Sequence, residues 1–155
     1  MKLSIKTIAI ACLIVGVTSC KKDATPTPAP TKTELLTGKN WKVTAFTSNP
    51  AIDWTGTGVM VTDIYAQMQA CEKDDLFMFN TNGTTTDDEG ATKCNPADPQ
   101  TTSGTWAFNS TQTIITVDGM DDFNIETLSA TTLKGNMVFN DGATNYTFTI
   151  TYTKQ

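Results

Sequence analysis

The sequence predicts an all-β domain, an antiparallel up-and-down meander of about eight short strands with one short helical segment. Three observations carry this. Short apolar runs alternate with clusters of Gly, Asn, Asp and Ser along residues 41–153. The last run alternates strictly: Tyr146, Phe148, Ile150 and Tyr152 interleave with Thr147, Thr149, Thr151 and Thr153. That period of two makes one face apolar and the other hydroxyl-bearing. Threonine fills 31 of the 155 positions; it suits the wet face of a pleat, because its branched β-carbon favours extended backbone while its hydroxyl meets water.

The amino terminus is an address. Lys2 and Lys6 flank the start of an apolar run, Ile8 to Gly16. That run is too short to cross a hydrocarbon core as a helix and fits the core of a signal peptide. Val17-Thr18-Ser19-Cys20 follows: an aliphatic residue, two small residues and a Cys resemble a bacterial lipobox. The resemblance implies that residues 1–19 are a lipoprotein signal peptide, lost together with Cys12. It also implies that Cys20 receives a diacylglyceryl group and an acylated amine. Several acyl chains anchor a protein to a bilayer durably, where one would not. Lys21-Lys22-Asp23 resembles the charged surface-export signals of bacteroidete lipoproteins, so an outer-membrane lipoprotein of the cell envelope is expected, periplasmic or surface-facing. Residues 20–33 comprise the lipidated Cys and a Pro/Thr-rich tether, with Pro26, Pro28 and Pro30 among small residues. Extended polyproline II at about 3.1 Å per residue gives it a reach of about 40 Å. The domain, residues 34–155, starts near Glu34.

Strands are expected at Trp41 to Ser48, Leu76 to Asn80, Thr84 to Asp88, Thr105 to Asn109, Thr113 to Val117, Phe123 to Leu128, Leu133 to Asn140 and Tyr146 to Thr153. Thr81-Asn82-Gly83 and Asp118-Gly119 supply residues that tolerate the positive φ of tight hairpins. Ser110-Thr111-Gln112, Ser129-Ala130-Thr131 and Asn140-Asp141-Gly142-Ala143 mark the other turns. Asp63 to Asp75 breaks the pattern: Ile64, Met68 and Cys71 recur at helical spacing, predicting one or two helical turns capped by Thr62 or Asp63.

Composition excludes several functions. The chain has no His and no Arg, eleven lysines, sixteen acidic residues and a formal charge of -5. It lacks the basic footprint that nucleic acid requires. Ser-His and Cys-His catalysis and most zinc or haem sites need the absent imidazole. No enzyme activity, cofactor or metal is expected, and a monomer is. Cys71 and Cys94 are the two thiols left after processing; in an exported protein such a pair reads as a disulfide. Closing that loop would contribute about 3 kcal/mol.

Leu35-Leu36-Thr37-Gly38-Lys39-Asn40-Trp41 resembles the opening of strand one in lipocalin-like domains, where a Gly precedes a floor Trp. The lipocalin form is G-x-W, and here two residues part Gly38 from Trp41. Ser103-Gly104-Thr105-Trp106 restates the motif in mid-chain. Together with Cys71-Glu72-Lys73-Asp74-Asp75, Phe79 and Gly83, and Asp88 to Cys94, the pattern is similar to bacteroidete lipocalin-like lipoproteins. The resemblance implies a meander closing into a lipocalin-like β-barrel and no established activity.

A barrel of that size is either filled by side chains or holds one small ligand. The inward set is expected among Trp41, Val43, Ala45, Phe77, Phe79, Trp106, Phe108, Ile125, Met137, Phe139, Tyr146, Phe148, Ile150 and Tyr152. A one-residue slip would reverse any strand's choice. Two functions stay open: a pocket for a small hydrophobic ligand, or a filled core in a structural module contacting envelope protein or glycan through its loops. Carboxylates at Asp74-Asp75, Asp87-Asp88-Glu89 and Asp118/Asp121-Asp122 are expected to be solvated turn residues rather than a glycosidase pair. Asp53-x-Thr55-x-Thr57-Gly58 lacks the charge of a calcium loop.

Overall fold

A computed structural model describes residues 28–119 and 122–155. The signal segment, Cys20, most of the tether and Asp121 lie outside the described residues. Helix α1 (Lys32–Leu36) precedes strand β1 (Asn40–Ile52). Strand β2 (Val61–Asp63), helix α2 (Ile64–Gln67) and helix α3 (Ala70–Lys73) follow, then strands β3 (Leu76–Phe79), β4 (Thr85–Asp88) and β5 (Thr101–Thr102). The second half is strand throughout: β6 (Trp106–Phe108), β7 (Ile114–Val117), β8 (Asp122–Leu128), β9 (Thr132–Asn140) and β10 (Asn145–Lys154).

The fold is all-β and antiparallel, as expected, with ten strands rather than eight. The extra two, β2 and β5, are three and two residues long, too short to show a period. The helical segment divides in two. Asp63 caps α2, its Oδ1 accepting from Ala66 N at 3.0 Å, and α3 starts at Ala70. Helix α1 was not expected. Thr31 and Glu34 form a capping box at its start, which satisfies the free amides of a one-turn helix.

The ladders form one open path, β5-β4-β3-β1-β10-β9-β8-β7-β6, with β2 paired to β1 off the path. The expected closure by a continuous ladder is not found. The gap between β4 and β6 is crossed by an isolated Thr84–Thr105 bridge. Thr85 N donates to Gly104 O at 2.9 Å beside it, and Trp106 N to Gly83 O at 2.8 Å. The physical reason lies at Thr105. Up to that residue the chain runs along β4; from Trp106 it pairs with β7 instead. Asp118 holds the bend, its Oδ1 accepting from Thr105 N at 2.6 Å. Gly104 leaves room for that carboxylate, since a Cβ there would lie 2.6 Å from Asp118 Oδ1.

The apolar faces meet in one main cluster that includes Leu36, Trp41, Phe79, Ile115, Phe123, Leu133 and Ile150. A second cluster joins Ile64, Tyr146 and Phe148. The β10 alternation is observed: Tyr146, Phe148 and Ile150 are buried. Strand β1 departs from strict alternation. Its register against β10 shifts between Val43 and Ala45, so Phe46 packs on both clusters in place of Ala45. An inserted residue reverses the faces downstream of it. Gly135 of β9 is required by packing, because a Cβ would meet the Phe123 ring at 2.6 Å.

One end of the β3–β4 hairpin is its turn. There Gly38, in the left-handed region at φ +66, donates its amide to Phe79 O at 3.0 Å. Trp41 Nε1 donates to Leu36 O at 2.8 Å. Lys32 Nζ donates to Gln112 O at 2.6 Å, which pins α1 to the β6–β7 turn. Asp75 precedes β3 and Asp88 ends β4, so both stand at the opposite end of that hairpin.

Candidate functional site

Two spaces adjoin inside the curved sheet. The first is an apolar chamber of about 190 Å³, walled by Phe79, Ile115, Phe123, Leu133 and Met137 among others. The second, about 250 Å³, carries Trp41 and Val43 together with Glu72, Asp75, Asp87 and Glu89. Phe77 and Tyr152 line both, so they form the boundary between an apolar part and an acidic part.

Strand pairing explains the acid beside Phe77. Asp87 lies directly opposite Phe77 in the β3–β4 ladder, and residues paired across antiparallel strands project to the same face. Buried Thr85 precedes it by two on that face. Asp87 and Asp88 lie in the strand expected at Thr84 to Asp88, and Asp87 is exposed there, in keeping with the solvated carboxylate expected. Asp75 arrives from the other side, between α3 and β3. Its Oδ1 is shut off from solvent and has no hydrogen-bond partner. Burial pushes its carboxyl up to about 6, with Glu89, Asp74, Glu72 and Asp87 adding like-charge repulsion. Burial, then Asp118, raises Asp87 as well. Tyr152 is pushed up to about 12 by burial and by Asp87. Tyr152 borders both spaces.

The acidic rim is held in place. Cys71 and Cys94 are bonded, with Cα atoms 5.2 Å apart. This bond ties α3 to the loop after β4. Asp74 reinforces the tie, its Oδ2 accepting from Ala91 N at 3.0 Å and Thr92 N at 2.9 Å. Gly90, at φ +64, packs its Cα on the Asp74 backbone, where a side chain would collide.

The expected inward residues divide by place. Phe79 and Tyr152 wall the chamber, and Trp41 and Val43 the acidic space. Trp106, Phe108 and Ile150 belong to the main cluster, Trp106 donating from Nε1 to Asn80 O at 2.9 Å. Tyr146 and Phe148 belong to the second cluster and border neither space. Phe139 departs from the expected core: it is 47% exposed. It keeps the face of Tyr146, its partner across the ladder, but the β9–β10 hairpin there projects past the covered core. Ile115, Phe123 and Leu133 were missed as wall residues. Alternation within their own strands carried the signal, but two of the three runs are mixed with polar residues on both sides. The turn after Asp53 uses that carboxylate itself, which accepts from Thr57 N at 3.0 Å and Gly58 N at 2.8 Å.

Comparison with known proteins adds one family. The model of the family described as lipocalin-like domain matches residues 36–135. No curated protein matches the chain. A solved structure of bovine odorant binding protein in complex with a selenium-containing odorant resembles it at 15% identity and a TM-score of 0.43. The likeness covers 85% of this chain and 78% of that one.

Proposed function

The chain belongs to the lipocalin-like domain family, and on that premise we propose that it is a lipid-anchored, non-enzymatic envelope protein that holds a small hydrophobic ligand within its curved sheet. The chamber carries this reading. A space of about 190 Å³ walled by aromatic and aliphatic side chains is large enough for several non-hydrogen atoms, and burial of apolar surface drives their transfer from water. A domain with a filled core would leave no such space. The lipobox resemblance of residues 17–20 supports acylation of Cys20, with the domain standing off the outer membrane on its tether.

The test is saturable binding of the neutral fluorophore N-phenyl-1-naphthylamine. The wild-type domain is expected to enhance its emission. Val117→Trp, which fills the chamber from β7, is expected to abolish the enhancement while keeping the far-ultraviolet circular dichroism. Absence of saturable enhancement with the wild type would overturn the ligand reading in favour of a filled-core interaction module.

A further inference from the structure

We propose that β2 is an interface for a second copy of this chain, so that two domains pair edge to edge in place of the monomer expected from the sequence. Strand β2 is paired to β1 along one edge, and among the described residues no strand takes the other. A free edge offers backbone donors and acceptors to any extended chain, and monomers guard it with Lys, Pro or extreme shortness. The edge at β5 is guarded in that way. It is two residues long and follows closely on Pro99. The edge at β2 is not. Trp54 to Thr62 contains no Lys, no Pro and no acid. The carboxylates on either side are spent on local amides: Asp53 accepts from Thr57 N and Gly58 N, and Asp63 from Ala66 N. Of the large apolar side chains exposed among the described residues, three lie in this stretch: Trp54 at 43%, Val59 at 61% and Met60 at 57%. Trp54 is held there by edge-on contacts with Phe46 and Phe148.

Three arguments select a second copy as the occupant. The stretch is self-complementary. Antiparallel pairing about a two-fold axis between Met60 and Val61 sets each Met60 opposite a Val61 and each Val59 opposite a Thr62. It sets Asp63 opposite Gly58, so the two carboxylates do not meet, although each chain carries a formal charge of -5. A two-fold pairing also uses up the edge on both copies and stops at two, which keeps an unguarded edge from seeding open-ended aggregation. The area fits a weak dimer: Trp54, Val59 and Met60 leave about 300 Å² in water, against about 800 Å² buried by each partner of a stable complex.

The test is sedimentation velocity of the chain from residue 20 onward carrying Cys20→Ala, which removes acylation and a thiol able to cross-link two copies. Monomer is expected at about 1 µM and dimer is expected to predominate at about 300 µM. Met60→Lys places a charge on the edge at an exposed position; it is expected to raise the dissociation constant at least about tenfold with the far-ultraviolet circular dichroism unchanged. Val138→Lys, exposed on β9 and separated from β2 by β1 and β10, is expected to leave the dimer as it is. A chain that stays monomeric throughout that range would overturn the second copy and leave the edge to an extended segment of a different chain. Equal weakening by Met60→Lys and Val138→Lys would overturn the edge pairing, as would a folded Met60→Lys variant that dimerises like the parent. Species that grow past two would overturn the two-fold axis.

Discussion

Phe77 and Asp87 stand directly opposite each other across the β3–β4 ladder, so one hairpin carries an aromatic ring and a carboxylate side by side on one face, with Asp87 exposed. Asp87 keeps much of its surface in water, and covering the rest of a charge is costly. The raised carboxyls of Asp87 and Asp75 are the trace of that cost. Stability is given up at this spot.

Asp75 sets a pH dependence whose sign follows from linkage. Its carboxyl titrates near 6 in the folded chain against 3.8 as the ordinary value. Between those limits the folded state binds more protons than the unfolded one, so stability falls as pH rises through the window, and the penalty is complete above pH 6. Urea denaturation is expected to give a higher midpoint at pH 5 than at pH 7. Asp75→Asn should raise the midpoint at pH 7 and narrow the difference between the two conditions. A wild-type midpoint that rises from pH 5 to pH 7 would contradict this account.

The bond between Cys71 and Cys94 should protect both thiols from alkylation until a reductant is added. Cys71→Ala/Cys94→Ala is expected to lose about 3 kcal/mol in denaturant titration, because the unfolded chain regains the freedom of the loop. Alkylation of freshly exported, unreduced protein would refute the pairing in the cell.

Phe148 and Phe139 stack 5.9 Å apart yet should respond differently to a charge. Phe148 is buried within the second cluster, with Phe46 packed against it; Phe148→Asp is expected to cost more than about 4 kcal/mol, read as a lost thermal transition. Phe139→Asp leaves the carboxylate in water and should cost about 1 kcal/mol or less. Equal effects from the two would place the edge of the core wrongly.

Cys20→Ala is expected to release the protein from membranes into the soluble fraction on ultracentrifugation, because no acyl chain can then be attached. Persistent sedimentation of that variant with membranes would refute lipid anchoring.

The strands were legible where one face is uniformly apolar and the other uniformly hydroxylic. Tyr146 to Thr153 satisfies that condition and was placed to within a residue at each end. Val61–Asp63 and Thr101–Thr102 hold too few residues to display a period, and only pairing with β1 and β4 makes them strands. The shift after Val43 was illegible because an inserted residue leaves no mark on composition; it shows only against Tyr152 and Thr151 in the partner strand. In the site, Phe79 and Tyr152 followed from alternation. The place of Asp87 beside Phe77 did not, since the strand expected at Thr84 to Asp88 carried no register until its pairing with β3 fixed one. The Cys71–Cys94 bond was legible because Cys12 was expected to leave with the leader and Cys20 to be acylated, which leaves a single pair.

Helix α1 and the acids occupy opposite ends of the β3–β4 hairpin, and this gives the molecule a front and a back. The chain enters the domain through α1, on the side of Leu36. Asp75 and Glu89 stand at the far end, so the chain that leads into the domain and the cluster of carboxylates do not crowd one another.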